Sequence, residues 1–395
     1  EVRALDNTDL FTLNNSTVDF VIDRSSPVYS VLIIANGGQL ITANDALIRG
    51  FTASSGTVTD ENTGNPSAIT APNIGIRNNF TMQWWNGGGS FNQADPQTPN
   101  IPVSNFSAPY WDYSLASLST GTLTDSVSYF ITLRADDQST PSNRTEYYVA
   151  GSTFFVDKST PLIHITQPAP NSFYNGQGLF TVSGTAVDRP GLFPQITRTE
   201  IAITSVPPQG VQNVWWTGQD WTTSATTNFI AISTAGTGVL SWQYTSLTSS
   251  GMRYGGTTFY IYARSVDGAG NLSLIAGPTT FIFDSDRPTA TIVSPSPLGR
   301  MNLSNRVVSG TAFDDFTVSS ITLSLSSAPI NAGGKIWWDG SAFASASEIF
   351  RATSSWIGST WTWNGASDGW ASSLISGSQY RVGVRARDRA GNVYT

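Results

Sequence analysis

The sequence predicts an all-β chain made of tandem two-sheet sandwiches, and three observations carry that prediction. Four short motifs recur in one order about every 130 residues. Between them lie short runs rich in Val, Ile, Thr and aromatic residues, separated by Gly, Pro, Ser and Asn. No segment carries the 3.6-residue apolar period of a helix.

The motifs set the repeat borders. Asp-x-x-x-Pro stands at Asp23/Pro27, Asp157/Pro161 and Asp284/Pro288. A glycine followed by Thr-Ala or Phe-Thr-Ala stands at Gly50, Gly184 and Gly310. Trp-Trp stands at Trp84-Trp85, Trp215-Trp216 and Trp337-Trp338. Arg-x-x-Asp stands at Arg3/Asp6, Arg134/Asp137, Arg264/Asp267 and Arg385/Asp388. Residues 1–24 thus read as the last strands of a preceding repeat, followed by repeats at 25–158, 159–285 and 286–395. The last of these lacks its final strand.

The second repeat shows the elements in order. Strand-like runs are Leu162–Thr166, Leu179–Ala186, Thr199–Ser205, Val211–Trp216, Phe229–Ser233, Val239–Tyr244, Thr257–Val266 and Pro278–Phe283. That density of short strands fits a two-sheet sandwich. The first repeat carries a polar stretch, Ser54–Thr70, which reads as a loop. Alternation fixes the faces of the longest strand. Tyr129, Ile131, Leu133 and Ala135 share one parity, as do Phe259, Ile261, Ala263 and Ser265, and Tyr380, Val382, Val384 and Ala386. That parity faces the core. Arg134, Arg264 and Arg385 face outward, and Asp137, Asp267 and Asp388 return inward where the strand ends.

Composition excludes several classes. The 395 residues contain no cysteine, so disulfides and thiolate metal sites are impossible. Charged residues are 12% of the chain, about half the usual share. A net charge of −7 and a pI near 4.7 argue against a nucleic-acid partner. No apolar run reaches the length of a membrane span. No signal peptide opens the chain, and because residue 1 falls inside a repeat that absence is uninformative.

Tyr-x-Val-x-Val-Arg-Ala-x-Asp-x-Ala-Gly-Asn at 380–392 resembles the penultimate strand and following turn of bacterial immunoglobulin-like repeats. So do the Asp-x-x-x-Pro junctions and Ser-Gly-Thr-Ala-x-Asp at 183–188 and 309–314. The first repeat departs from the pattern, with Ser54 where the others have Asp188 and Asp314. The resemblance implies tandem immunoglobulin-like β-sandwich domains arranged end to end, as in large bacterial surface and secreted proteins.

It also implies where the acids meet. In such a sandwich the loops after the second and the penultimate strand share the end at which the chain enters. Asp188 and Asp267 should then approach Asp157, while Asp314 and Asp388 approach Asp284 and Asp286. The head of the first repeat offers Asp23, Asp136 and Asp137. Crowded carboxylates repel unless neutralised, and Ca2+ accepts six to eight oxygens in irregular loops. The competing reading is that each Asp caps its own turn.

Adjacent strand residues point to opposite faces. One Trp of each pair should therefore lie outside, and Trp85, Trp216 and Trp338 are the candidates for stacking on sugar rings. They can equally cover the outer sheet and anchor cross-strand pairs. The only histidine, His164, sits in an alternating strand and reads as a surface residue rather than a catalytic one. No glutamate recurs at a repeat position, and no phosphate-binding loop opens a helix.

The expected function is structural and not enzymatic: an extracellular stalk, fibre or surface filament of bacterial origin, with Ca2+ stiffening its joints. The expected partners are further repeats or other copies of the chain, head to tail. The alternative is an adhesin or glycan-binding array that uses exposed Trp faces.

Overall fold

The chain is described by a computed structural model. It covers residues 22–394, apart from 36–38, 42–45, 50, 61–67, 98–99, 115–117, 119–121, 177–179, 189–194, 206–212, 248–255, 303, 305 and 328–334. The strands expected within residues 1–21 lie outside the described residues.

Alternation along the longest strands places the cores. In Thr257–Asp267 the side chains of Phe259, Ile261 and Ala263 are buried, and Arg264 lies on the opposite, half-exposed face. In Val127–Asp136 the same positions are Tyr129, Ile131 and Leu133. Each long strand pairs antiparallel with another: Asn73–Asn78 in the first module, Ile196–Thr204 in the second, and Val318–Ser327 with Tyr380–Asp388 in the third. Three apolar cores result, and each is contiguous in sequence. One spans Tyr29 to Val156, the next Ile163 to Phe283, and the third Ala290 to Ala386. The chain is therefore a tandem array of immunoglobulin-like sandwiches, all β but for a short 3-10 turn at Trp370–Ser373 among the described residues.

The second module shows the topology most plainly. One sheet holds Leu162–Gln167, Phe180–Val187 and Val239–Leu247 in that spatial order. The facing sheet runs Ser172–Tyr174, Ala276–Phe283, Thr257–Asp267, Ile196–Thr204, Asn213–Trp216 and Trp221–Ser224. The first of these pairs parallel with the second, as Ala46–Ile48 does with Ser152–Val156 in the first module. This crossing of one short strand to the other sheet is what lets the incoming chain serve both layers. The sequence missed Ser172–Tyr174 and Trp221–Ser224, because three or four residues show no usable period. In the third module, Tyr380–Asp388 pairs on that side only with Val393–Tyr394 among the described residues.

Two expectations are corrected in the first module. Ser54 to Thr59 is not loop: Phe51–Thr59 is a central strand with Ser54, Gly56 and Val58 buried. The register also moves. Gly56, not Gly50, stands opposite Trp111, as Gly184 stands opposite Trp242 and Gly310 opposite Trp361. The reason is steric. A Cβ on Gly184 or Gly310 would lie 1.9 Å from a neighbouring strand's carbonyl oxygen and inside the indole, and one on Gly56 would lie 2.1 Å from Ser30 O. Only glycine lets the tryptophan ring lie flat across the strand. With this register the residue matching Asp188 and Asp314 is Asp60, not Ser54.

Candidate metal centres at the module joints

Every joint is built from the same three chain segments: the linker Asp, the Asp after the second long strand of the smaller sheet, and the Asp that ends the penultimate strand. Their carboxylates meet. Asp157, Asp188 and Asp267 form one group, and Asp284, Asp314 and Asp388 a second. Asp23, Asp60 and Asp137 form a third, at the head of the first module. Within each group one oxygen per residue lies within 4.8 Å of the others. Diametrically opposed ligands about 2.4 Å from a calcium ion would be about 4.8 Å apart, so all three oxygens fit one coordination sphere.

The turn after the penultimate strand fastens this end. Asn271 N donates to Asp267 Oδ1 at 2.7 Å, and its Nδ2 donates to Asp267 Oδ2 and to the linker carbonyl of Asp157, both at 2.9 Å. Asn392 repeats the set on Asp388 and on the Asp284 carbonyl. Asn143 repeats it on Asp137 and the Asp23 carbonyl. This asparagine ties the linker to the module it enters. Sequence reasoning assigned it no role, although its offset from the Asp in Asp-x-Ala-Gly-Asn was a visible signal.

Burial and repulsion act together on the linker acids. Asp157 and Asp284 are each pushed up to about 6, first by burial, with Asp267 and Asp188 adding repulsion at one and Asp314, Asp388 and Asp286 at the other. Asp267 is also raised, burial outweighing its bonds from Asn271. Asp137 behaves oppositely. Burial raises it, but Ser139 and Asn143 donate enough hydrogen bonds to hold it below the ordinary carboxylate range.

The donors are all oxygens, the choice of a hard cation. One observation tests the fit directly: Asp284 Oδ2 is buried with no hydrogen-bond partner, and the residue is 2% exposed. A buried, unpaired carboxylate oxygen is costly, and a bound cation would satisfy it. Turn capping also occurs. Asp157 Oδ1 accepts from Ser159 N, Asp284 Oδ1 from Asp286 N, and Asp314 Oδ2 from Thr317 N. Capping therefore uses one face of each carboxylate and leaves others directed into the triad.

Asp286 is a correction. It is exposed, lies outside the triad, and contributes its backbone N–H rather than its carboxylate.

The tryptophans are a second correction. Trp85, Trp216 and Trp338 are 1%, 3% and 3% exposed. All three belong to the cores, where Trp85 packs edge-on to Tyr113 at 5.9 Å and Trp216 Nε1 donates to Tyr244 OH at 2.8 Å. The other pair members are covered too. Trp84 lies against Tyr148 and Arg77, and Trp215 sits with Ala202 and Tyr262. Only Trp337 is half-exposed. Alternation separated the two faces of each pair but did not show which face meets the other sheet, nor that side chains roof the second. His164 is exposed in its strand.

No protein-family model matches the chain, and no curated protein matches it. Solved structures similar to it include one of a 1.5-MDa bacterial ice-binding adhesin and its host cell surface retention, with 16% identity, 94% of this chain and 96% of that one covered, and a TM-score of 0.31. Fibronectin(III)-like modules of Clostridium thermocellum CbhA show 10% identity over 65% and 94%, with a TM-score of 0.28. The FN1–FN3 domains of chicken CNTN1 show 12% identity over 89% and 92%, with a TM-score of 0.22. This chain's own strand pairing gives it the tandem-sandwich fold.

Proposed function

We propose that this chain is a load-bearing segment of an extracellular bacterial stalk, fibre or surface filament, whose joints bind Ca2+. The observation that carries the reading is the recurrence of an acidic triad, buried or half-buried, and an asparagine clamp at the head of each module. A core needs neither. Three carboxylates facing each other destabilise an isolated module, so their repetition where two modules meet suits a shared ion that removes hinge freedom. The linker between Asp and Pro is only a few residues long, which already restricts the angles between modules.

Asp157, Asp188 and Asp267 would hold the ion at one joint, and Asp284, Asp314 and Asp388 at the next. The same reading extends to Asp23, Asp60 and Asp137. The bound cation would supply charge neutralisation and nothing catalytic, and we assign the chain no reaction. Its partners are further modules or copies of the same chain, joined head to tail. Burial of Trp85, Trp216 and Trp338 leaves those three rings without a face to offer a glycan.

Calorimetric melting in calcium and in chelator tests the metal. The expected result is a higher melting temperature in calcium, with the gain reduced by Asp284→Asn and by Asp267→Asn. Identical melting curves in the two buffers would eliminate Ca2+ from the joints.

A further inference from the structure

The sheet face turned away from the core carries a different charge in the third module than in the other two. On Tyr380–Asp388 the inward residues Val382 and Val384 pack on the core, which leaves Arg381, Gly383, Arg385 and Arg387 on the outward face. Across the ladder these face Ser326, Ser324, Thr322 and Ser320. Aligned on Tyr380, Phe259 and Tyr129, the places of Arg381 and Arg387 are held by Tyr260 and Val266 in the second module and by Phe130 and Asp136 in the first. Arg385 does have counterparts, and each pairs with an acid of its own module: Arg264 Nε with Glu200 at 2.5 Å, and Arg134 Nε with Asp136 at 4.0 Å. Among the described residues Arg381, Arg385 and Arg387 make no ion pair. Arg385 instead stacks 3.9 Å over the Phe350 ring, while Arg381 and Arg387 are exposed.

The neighbouring strand Ile336–Trp338 adds an aromatic ring to this face. Trp337 stands beside Ser326, which stands beside Arg381, so all three point outward. The matching Trp215 lies against Tyr262, and Trp84 against Tyr147 and Tyr148. Gly383 takes the place of Tyr262, and Trp337 stays half-exposed, with Lys335 Nζ 6.0 Å from its ring centroid. One acid lies in the row: Glu348 accepts from Ser324 Oγ at 2.6 Å, and a Cβ on Gly383 would lie 3.5 Å from its Oε1. The cations outnumber it. The module as a whole shows the same bias, since residues 286–395 carry nine Lys and Arg against seven Asp and Glu, whereas residues 25–158 carry five against ten.

We propose that this face of the third module binds a linear acidic polysaccharide, with one sugar stacked on Trp337 and its anionic groups set on Arg381, Arg385 and Arg387. Three features select that ligand. The half-exposed indole offers an apolar surface to the C–H face of a sugar ring, and the half-buried hydroxyls of Ser320 and Thr322 lie beside the arginines. Guanidinium groups without an internal counter-ion present forked donors that match carboxylates and similar oxyanions. The spacing fits as well. At about 3.4 Å per residue, Arg381 and Arg385 stand about 14 Å apart and Arg387 about 7 Å further on. That suits a polymer with an anion on some of its rings, and is far sparser than the one phosphate per about 3.4 Å of a nucleic-acid strand.

The test titrates the whole chain with a polyuronate, hyaluronan and a sulfated galactan, and with a neutral glucan and poly(dT) for comparison. Working in chelator keeps the result apart from the calcium reading. At least one of the three acidic polysaccharides is expected to bind, more weakly as salt is raised, and more tightly than the glucan or poly(dT). Arg381→Gln with Arg387→Gln, both at exposed sites, should weaken binding about tenfold. Trp337→Ala should weaken it about fivefold. Glu348→Gln should tighten it about twofold, a gain that a misfolded variant does not produce. Arg300→Gln removes an exposed arginine outside this ladder and should leave binding unchanged. No binding to any of the three acidic polysaccharides, tighter binding to the glucan or to poly(dT), or equal affinity in the parent, the Trp337 variant and the double arginine variant would overturn the proposal.

Discussion

The triad at the head of the first module and the triad at the head of the second use the same three positions, yet they treat their charge differently. Asp267 is held by the side chain and backbone of Asn271 and by the Ala269 and Gly270 backbone in a tight Asp-Gly-Ala-Gly-Asn turn, with no hydroxyl donor, and burial still drives its carboxyl upward. Asp137 ends a longer turn, Asp137 to Asn143, and Ser139 adds both N–H and O–H donors to the two from Asn143. Its carboxyl is held down. The partners differ likewise: Asp157 and Asp188 are buried, and Asp23 and Asp60 are half-buried. Two extra residues in one turn thus change a triad that needs neutralising into one that its own hydrogen bonds and solvent can tolerate. Position in the fold sets which acids meet; the local donor supply sets whether they need an ion.

The largest expected effect is metal binding. At calcium a thousandfold above the dissociation constant, a site is expected to stabilise its module by about 4 kcal/mol. The gain should be clearest for the Asp157 and Asp284 triads and smallest for the Asp23 triad. Titration calorimetry on Asp60→Asn and Asp188→Asn, compared with the parent, separates them, and equal losses of bound calcium would break the comparison.

Next is pH. Asp157 and Asp284 titrate near 6, above their ordinary range. A raised acid adds stability at low pH that is lost as the pH rises through its folded value. In chelator, stability and with it the melting temperature should therefore fall as the pH rises from about 4 to about 7, by roughly 2 kcal/mol per site after allowing for solvent screening. Asp137 is lowered, so its stabilising contribution is kept above its ordinary range and is lost only on acidification below it. In calcium the slope at the Asp157 and Asp284 triads should reverse, because protons and metal compete for the same oxygens. A flat profile in chelator would show that the triads are not strained.

The asparagine clamp comes third. Asn271→Ala removes two side-chain hydrogen bonds, one of them to the linker carbonyl, and is expected to cost about 2 kcal/mol in chemical denaturation. Asn143→Ala should cost about half as much, because Ser139 still holds Asp137. The smallest expected effect is Asp286→Asn, within about 0.5 kcal/mol and without change in calcium affinity. A marked loss of affinity there would return Asp286 to the site.

Much of this was legible in residues. Asp-x-x-x-Pro placed the linker, and alternation put Asp267 and Asp388 inward at the end of an otherwise apolar face. The error in the first module came from a local match: Gly50 precedes Phe-Thr-Ala, as the other glycines precede Thr-Ala, and nothing short-range favours Gly56 over it. The deciding contact is with Trp111, more than fifty residues away, so the register was invisible until the strands were paired. Asp60 was missed for the same reason. The outward assignment of Trp85, Trp216 and Trp338 failed because alternation gives two faces but not which of them meets the other sheet.

The sequence by itself determined that the chain is β, that it repeats, and that acids gather where one repeat hands over to the next. Those properties follow from period-two alternation and from motifs a few residues long. Tertiary structure alone decided which glycine accepts an indole, which face of each tryptophan pair meets the other sheet, and which side chains bridge each joint. Each of these depends on side chains brought together from distant strands, where steric fit and desolvation, rather than local preference, select the partner.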